Sequence, residues 1–372
     1  MRSLPMKRWP WVMAVVALAV GPEAMAGEAG LVPILYTTDL YHPHQDPDDH
    51  YDLATLFALP EFDIRGIVID MGKEGVGRPG VVTLQQMMYL TGREVPYATG
   101  LLANLATPDD TAEVQSAETQ AGVALILKTL EDAPQPVTVF ATGSLRDVAA
   151  AFNRAPDLFR AKVARLYVNA GHSSGGEEWN VQLDPAAYVC VLRSGLPVYW
   201  VPCLGEGNVQ SLWRFDQGEM LDAVPLPLQR FFLYALTQAD PAEVDPIGAL
   251  TLPALQEKKK GFQNTQRNMW CTAPLLDAAG RVNMPFRFNL CAVSVSDDGK
   301  TRLVPRGEGV ELHVFVSEAP MAYWACMRGA LRAALRAMPL SDRVTQATEA
   351  DTPDTTPGDP VQKGVGSSSK ES

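Results

Sequence analysis

Between Ile34 and Leu59 the chain reads ILYTTDLYHPHQDPDDHYDLATLFAL, and no other stretch limits its possible folds as much. Ile34 to Thr38 is short, apolar and β-prone, while from Asp48 onward Leu53, Leu56 and Phe57 recur at the spacing of a helix face. A strand therefore runs into a helix. The polar loop between them holds Asp39, Asp46, Asp48 and Asp49, interleaved with His42, His44 and His50. Carboxylates this close repel one another unless a cation, solvent or protonation relieves them, and a hard cation bound through oxygen is the natural partner. Asp48 and Asp49 taken alone also read as first-turn acids that complement a helix dipole. Asp39 favours a site, because it stands at the end of the strand, on the edge where open α/β sheets bind ligands.

The same alternation continues. Asp63 to Asp70, Val95 to Thr99, Val137 to Thr142, Val163 to Ala170 and Pro197 to Pro202 read as strands. Helical patterns fall over Val81 to Leu90, Thr111 to Leu130, Leu145 to Phe152 and about Asp184 to Arg193. This spacing predicts an α/β fold with a mostly parallel central sheet and helices on both faces. From Pro225 the texture changes to helical stretches. Arg287 to Val295 and Thr301 to Val304 then read as a hairpin turning at Asp298-Gly299, Glu311 to Val316 as a further strand and Ala319 to Met338 as a helix, so antiparallel additions are expected toward the C-terminus.

Composition bounds the rest. With 372 residues, 47% hydrophobic and 20% charged, the chain has ample material for one large core. Met6-Lys7-Arg8, the apolar run Trp11 to Val20 and Ala24-Met25-Ala26 form a secretory signal pattern, predicting a signal peptide over 1–26 and a periplasmic or secreted protein with no stable membrane insertion after cleavage. The main domain is expected over 31–340. Residues 341–372, rich in Thr, Pro, Gly, Ser, Asp and Lys, are expected to form a disordered tail. A net charge of −12 without a basic stripe argues against a nucleic-acid partner. The five cysteines show neither CxxC spacing nor a nearby histidine, which excludes zinc-ribbon and thioredoxin-like readings.

Three later segments place polar residues at strand ends: Ala141 to Asp147 (ATGSLRD), Asn169-Ala170-Gly171 followed by EEWNVQLDP over 177–185, and Asp245-Pro246. Together with Asp39 and Asp48-Asp49, they resemble the inosine-uridine-preferring nucleoside hydrolase family, calcium-dependent ribosidases of α/β fold. That family's DTDxGxDD loop is matched by Thr37-Thr38-Asp39, an insertion, then Asp48-Asp49. VFATGSLRDVAAAFNRAPDLFRAKVARLYVNAG resembles its strand, glycine turn, helix and strand ending in MGG, and EEWNVQLDPAAYVCVLRSGLPVYWVP its EFN...DPEAA...SGLP segment.

The resemblance implies Ca2+ held by Asp39, Asp49, the Thr142 main-chain carbonyl and Asp245, with Asp39 also the catalytic base that takes a proton from the attacking water. Asp48, Glu178 and Asn180 would hold the ribose hydroxyls. It further implies an N-glycosidase that hydrolyses a ribonucleoside or related ribosyl compound to ribose and base, exported on the strength of the signal pattern, and it leans toward a homo-oligomer. The departures are Thr37 in place of the first motif aspartate, and Val244 where purine-cleaving members carry a histidine that protonates the leaving base. The longer loop offers His42 or His44 as a substitute acid. Glu178 and Asn180 also read as caps for the following helix. Two other functions stay open on these residues: a sugar- or nucleoside-binding protein that does not cleave, and a metal-dependent hydrolase of another substrate that uses His42 or His44.

Overall fold

The computed structural model describes residues 30–350, apart from 45, 239–244 and 252–253. The expected signal segment, Val244 and the tail beyond 350 lie outside the described residues. Among the described residues the strands are β1 Val32–Thr38, β2 Phe62–Ile69, β3 Tyr97–Thr99, β4 Val137–Thr142, β5 Val163–Val168, β6 Val198–Trp200, β7 Trp213–Asp216, β8 Gln266–Met269, β9 Phe286–Val295, β10 Thr301–Val304 and β11 Val310–Ser317. Nine of them form one sheet in the order β10-β9-β11-β6-β5-β4-β1-β2-β3, and β7 pairs with β8 as a separate antiparallel ribbon. From β11 to β3 neighbouring strands run parallel, while β9 pairs antiparallel with both β10 and β11. The mostly parallel sheet with C-terminal antiparallel additions is the architecture expected from the sequence.

Side-chain alternation along β1 divides the core. Ile34 and Tyr36 face one apolar cluster, and Leu35 faces the other. Successive side chains of a strand point to opposite faces, so a central parallel strand covered on both sides must be apolar throughout. The helix Asp48–Ala58 lies on the Ile34 face and is buried along nearly its whole length. Helices Pro320–Arg336, Val81–Thr91, Thr272–Ala278 and Leu226–Leu236 pack around it, which leaves no face for solvent. The aspartate loop is thereby fixed at both ends, by a central strand and by a buried helix.

Two expectations are corrected. The helix predicted over Thr111 to Leu130 is an α-helix only over Ala121–Asp132, preceded by a short 3-10 turn, Ala117–Thr119. Asp110 accepts from the Ala106 and Ala112 backbone N–H groups, and Ala112 takes a positive φ of 55°, so local polar turns replace the first helical turns. The tail expected from 341 onward begins as a helix, Asp342–Ala350, with Val344 buried against the core and the Ser341 N–H donating to the Leu90 carbonyl at 2.8 Å. No described helix is long and apolar enough to cross a membrane.

Candidate active site

A cavity of about 330 Å³ opens at the carboxyl ends of the parallel strands, where such sheets bind ligands. Its floor is acidic. Asp39 follows β1, Asp48 and Asp49 open the next helix, Thr142 ends β4, and, after β5, Glu178 precedes and Asn180 lies on the short helix Trp179–Leu183. Six of the residues expected to bind metal or sugar therefore meet in one space. The close approach of β1 and β4 requires glycine at 143, since a Cβ there would lie 2.6 Å from the Asp39 backbone nitrogen.

Asp39 and Asp49 are both buried and stand within hydrogen-bond reach of each other. Burial, and then the charges of Asp49 and Asp70, hold Asp39 well above the usual carboxylate range. Burial pushes Asp49 up to about 6, opposed by hydrogen bonds that include one of 2.7 Å from the Thr38 hydroxyl. Asp48 is raised by burial and by Asp49. No arginine or lysine pairs with any of these three carboxyls among the described residues. Buried carboxyls that stay close without a cationic side chain match the donor chemistry of a hard cation. Among the described residues, no three His, Cys, Asp or Glu side chains already stand at metal-binding spacing. The nearest pair is Asp39 and Asp49, within hydrogen-bond reach of each other.

Thr142 supports that arrangement through its side chain as well, since its hydroxyl lies 3.3 Å from Asp49 Oδ1 and 3.0 Å from the Tyr36 hydroxyl. Thr37 turns away into the sheet and donates to the Phe140 carbonyl. Glu178 caps the helix Trp179–Leu183: Oε1 accepts from the Asn180 N–H, and Oε2 accepts from those of Val181 and Gly171. The capping reading thus holds for Glu178, on a helix one turn earlier than expected. Asn180 donates through Nδ2 to the Asn169 carbonyl at 2.9 Å, which orients its amide at the cavity wall.

Three expected residues do not join the site. Asp245, expected as a metal ligand, is exposed and accepts from the Gly248 N–H at 2.8 Å, capping the turn Gly248–Thr251 outside the cavity lining. His42 is buried and stacks on Tyr234 at 5.2 Å between ring centroids, with His50 edge-on at 6.1 Å. His44 approaches His50 at 6.0 Å. Neither His42 nor His44 lines the cavity, because the loop folds its imidazoles against the aromatic face of Leu226–Leu236. Both residues proposed as a leaving-group acid therefore stand outside the cavity lining.

The remaining lining was not assigned from sequence. Tyr41, Trp179 and Trp270 supply aromatic wall, with Cys203, Leu204 and Cys271 beside them. Trp270 and Cys271 arrive on the chain leaving β8, whose pairing with β7 spans about fifty residues and leaves no local signal. Arg267 on β8 ties this wall to the acidic loop through a 2.7 Å ion pair with Asp46, which also lines the cavity.

Beneath the floor lies a buried ionic hub. Arg146 is 1% exposed and bonds Asp70 at 2.9 Å, Asp184 at 3.2 Å and the carbonyls of Leu101 and Leu183. Asp70 in turn accepts from the Ser144 N–H, fixing the turn after Thr142, and its own N–H donates to the Thr38 carbonyl beside Asp39. Gly72 must be glycine there, since its φ is +48° and a Cβ would lie 2.9 Å from the Arg146 guanidinium.

Residues 43–259 match the family model described as inosine-uridine preferring nucleoside hydrolase. The chain is 29% identical over 188 residues to a protein named pyrimidine-specific ribonucleoside hydrolase RihA from Citrobacter koseri, an alignment that covers 45% of this chain and 58% of that protein. The protein of the same name from Escherichia coli O1:K1 is 28% identical over 231 residues, covering 54% and 71%. The structure resembles a purine-preferring ribonucleoside hydrolase from Gardnerella vaginalis with a TM-score of 0.56 at 16% identity, covering 82% of this chain and 99% of that one. A plant nucleoside hydrolase gives a TM-score of 0.54 at 15% identity over the same shares. At such identities the two structures speak for the fold alone.

Proposed function

The chain belongs to the inosine-uridine preferring nucleoside hydrolase family, and from that premise we propose that it hydrolyses the N-glycosidic bond of a ribonucleoside or related ribosyl compound, releasing ribose and the base. The observation that carries this reading is the single cavity that gathers Asp39, Asp48, Asp49, Thr142, Glu178 and Asn180 from four separate stretches of chain.

Asp39, Asp49 and the Thr142 main-chain carbonyl would hold a calcium ion, which when bound acidifies and orients the attacking water. Asp39 takes the proton from that water as it attacks C1′. Asp48 accepts hydrogen bonds from the ribose hydroxyls. Asn180 and the remaining lone pair of Glu178 Oε1 hold the sugar from the opposite wall. The carboxylates also face the positive charge that builds on the ribose as the bond to the base lengthens, and they are prepositioned for it. Ribose release from uridine, inosine and p-nitrophenyl riboside, measured with calcium and with chelator, tests the reading. Release that stops with chelator and returns with calcium is the expected result; binding of nucleosides without release would assign the cavity to a binding protein instead.

We further propose that the protein is exported, on the strength of the basic, apolar and Ala-x-Ala pattern over 1–26. Sequencing the mature protein from an extracytoplasmic fraction should find Gly27 at its N-terminus. Recovery of soluble cytoplasmic protein that retains Met1 would overturn this.

A further inference from the structure

One carboxyl group of the cavity is held from outside it. Glu178 Oε2 accepts from the Gly171 N–H at 2.8 Å, so its aim depends on the loop that leaves β5. That loop is fastened to the C-terminal hairpin. Ser174 makes an antiparallel bridge to Arg302 on β10, and the Thr301 hydroxyl donates to the His172 carbonyl at 3.1 Å. Thr301 is 1% exposed, and its hydroxyl also lies 3.4 Å from that of Tyr188. The Tyr188 hydroxyl in turn seats directly on Gly171, where an added Cβ would stand 2.1 Å from it.

The turn between β9 and β10 grips the helices that follow Glu178. Gly299 lies against Val181 and Tyr188, and a Cβ there would come within 2.7 Å of Val181 Cγ1. Asp297 pairs with Arg193 at 2.9 Å, at the far end of the helix Pro185–Arg193. Among the described residues, however, none from β9, β10 or their turn lines the cavity. The proposed calcium ligands Asp39, Asp49 and Thr142 stand on or beside β1, the helix Asp48–Ala58 and β4, and none of these hairpin contacts reaches them. A hairpin at the edge of the sheet thus supports one wall of the site and not its floor.

We propose that the β9–β10 hairpin is a positioning element for the wall that holds the sugar, and that Thr301 is the positioning residue through which it acts. The Thr301 hydroxyl fixes the His172 carbonyl and the Tyr188 hydroxyl on two sides of Gly171, and the Gly171 N–H then sets the angle at which Glu178 meets the ribose hydroxyls. Thr301 touches no substrate and works through Glu178. This rests on the ribosyl-hydrolase reading of the same cavity. Without the Thr301 hydroxyl, Glu178 keeps its bonds to the Asn180 and Val181 N–H groups and loses the alignment of the third, so the carboxyl group turns but stays in the cavity.

Thr301→Val keeps the side-chain volume and removes the hydroxyl. A misplacement of about 1 Å can cost about a hundredfold, and with two of the three anchoring bonds kept, KM for p-nitrophenyl riboside should rise about tenfold in the calcium-loaded protein, with kcat little changed. Calcium affinity should match the wild type, and Thr301→Ser, which restores the hydroxyl, should restore KM. Added to Glu178→Ala, Thr301→Val should change KM no further. Tyr188→Phe removes the other hydroxyl of the pair and keeps the ring; it should raise KM in the same way, and it decides the question if Thr301→Val does not fold. A wild-type KM in the folded variants overturns the proposal and leaves the hydrolase reading intact. So does a KM defect that persists in Thr301→Ser or adds to that of Glu178→Ala, or a parallel loss of calcium affinity. If the wild type cleaves no riboside, the hydrolase reading fails, and calorimetric titration with ribose makes the same comparison on binding.

Discussion

Asp49→Ala is expected to lower ribose release by at least about a hundredfold, because even outer-shell partners of a metal account for 10- to 100-fold and Asp49 would hold the ion directly under the proposed reading. The same substitution should erase the response of thermal stability to calcium. A ligand that binds only the native state stabilises it by about 2.7 kcal/mol at a hundred times its Kd, so the wild type should melt higher in calcium and the variant should not. The pH dependence has a fixed sign. Without the ion, Asp49 titrates at about 6 in the folded chain against an ordinary value of 3.8. Its stabilising contribution is complete below about 3.8 and is lost as pH rises through about 6. Calcium competes with that proton, so calcium affinity should fall by up to about tenfold per unit as pH drops below 6. Calcium titrations at pH 5 and pH 7 check both statements, and a variant that binds calcium as the wild type does would remove Asp49 from the site.

Arg146→Met should destabilise the fold by about 3–5 kcal/mol, the range for removing one partner of a buried ion pair. The loss arises because Asp70 and Asp184 would stay behind in the core, 2% and 1% exposed, with no cation between them. Acid should relieve the defect, since protonation neutralises the stranded carboxyls. Urea unfolding at pH 7 and pH 5 measures this, and adding Asp70→Asn and Asp184→Asn to the variant should restore much of the stability. A cost under about 1 kcal/mol at pH 7, within the range of exposed pairs, would show that the hub does not hold the strand ends together.

What could be foreseen from sequence follows the range over which each feature is encoded. Asp39, Asp48, Asp49, Thr142, Glu178 and Asn180 each sit next to their own strand or helix, so the strand-then-polar-residue pattern places them at one sheet edge without knowledge of distant contacts. Trp270 and Cys271 depend on an antiparallel pairing with Trp213–Asp216, far away in the chain, and no periodicity records it. His42 illustrates the opposite failure. Its place in the loop suggested chemistry, but its ring finds Tyr234, nearly two hundred residues later, and burial decides its orientation. Arg146 reads locally as an ordinary first-turn residue of the helix Arg146–Arg154, although its five bonded partners come from three other stretches of chain.

The position of β11 carries a consequence for biosynthesis. Because β11 lies between β6 and β9, Tyr199 on β6 waits for His313, 114 residues further along, before its hydrogen-bonding edge is filled. As the polypeptide emerges from the ribosome, the half that carries every cavity carboxylate can be complete while the β6 edge is still open, and an open edge recruits other chains. A newborn molecule is thus most vulnerable to mispairing after its site has been spelled out and before its last strand arrives. A partner that keeps the chain extended until Val310–Ser317 has been made would remove that hazard.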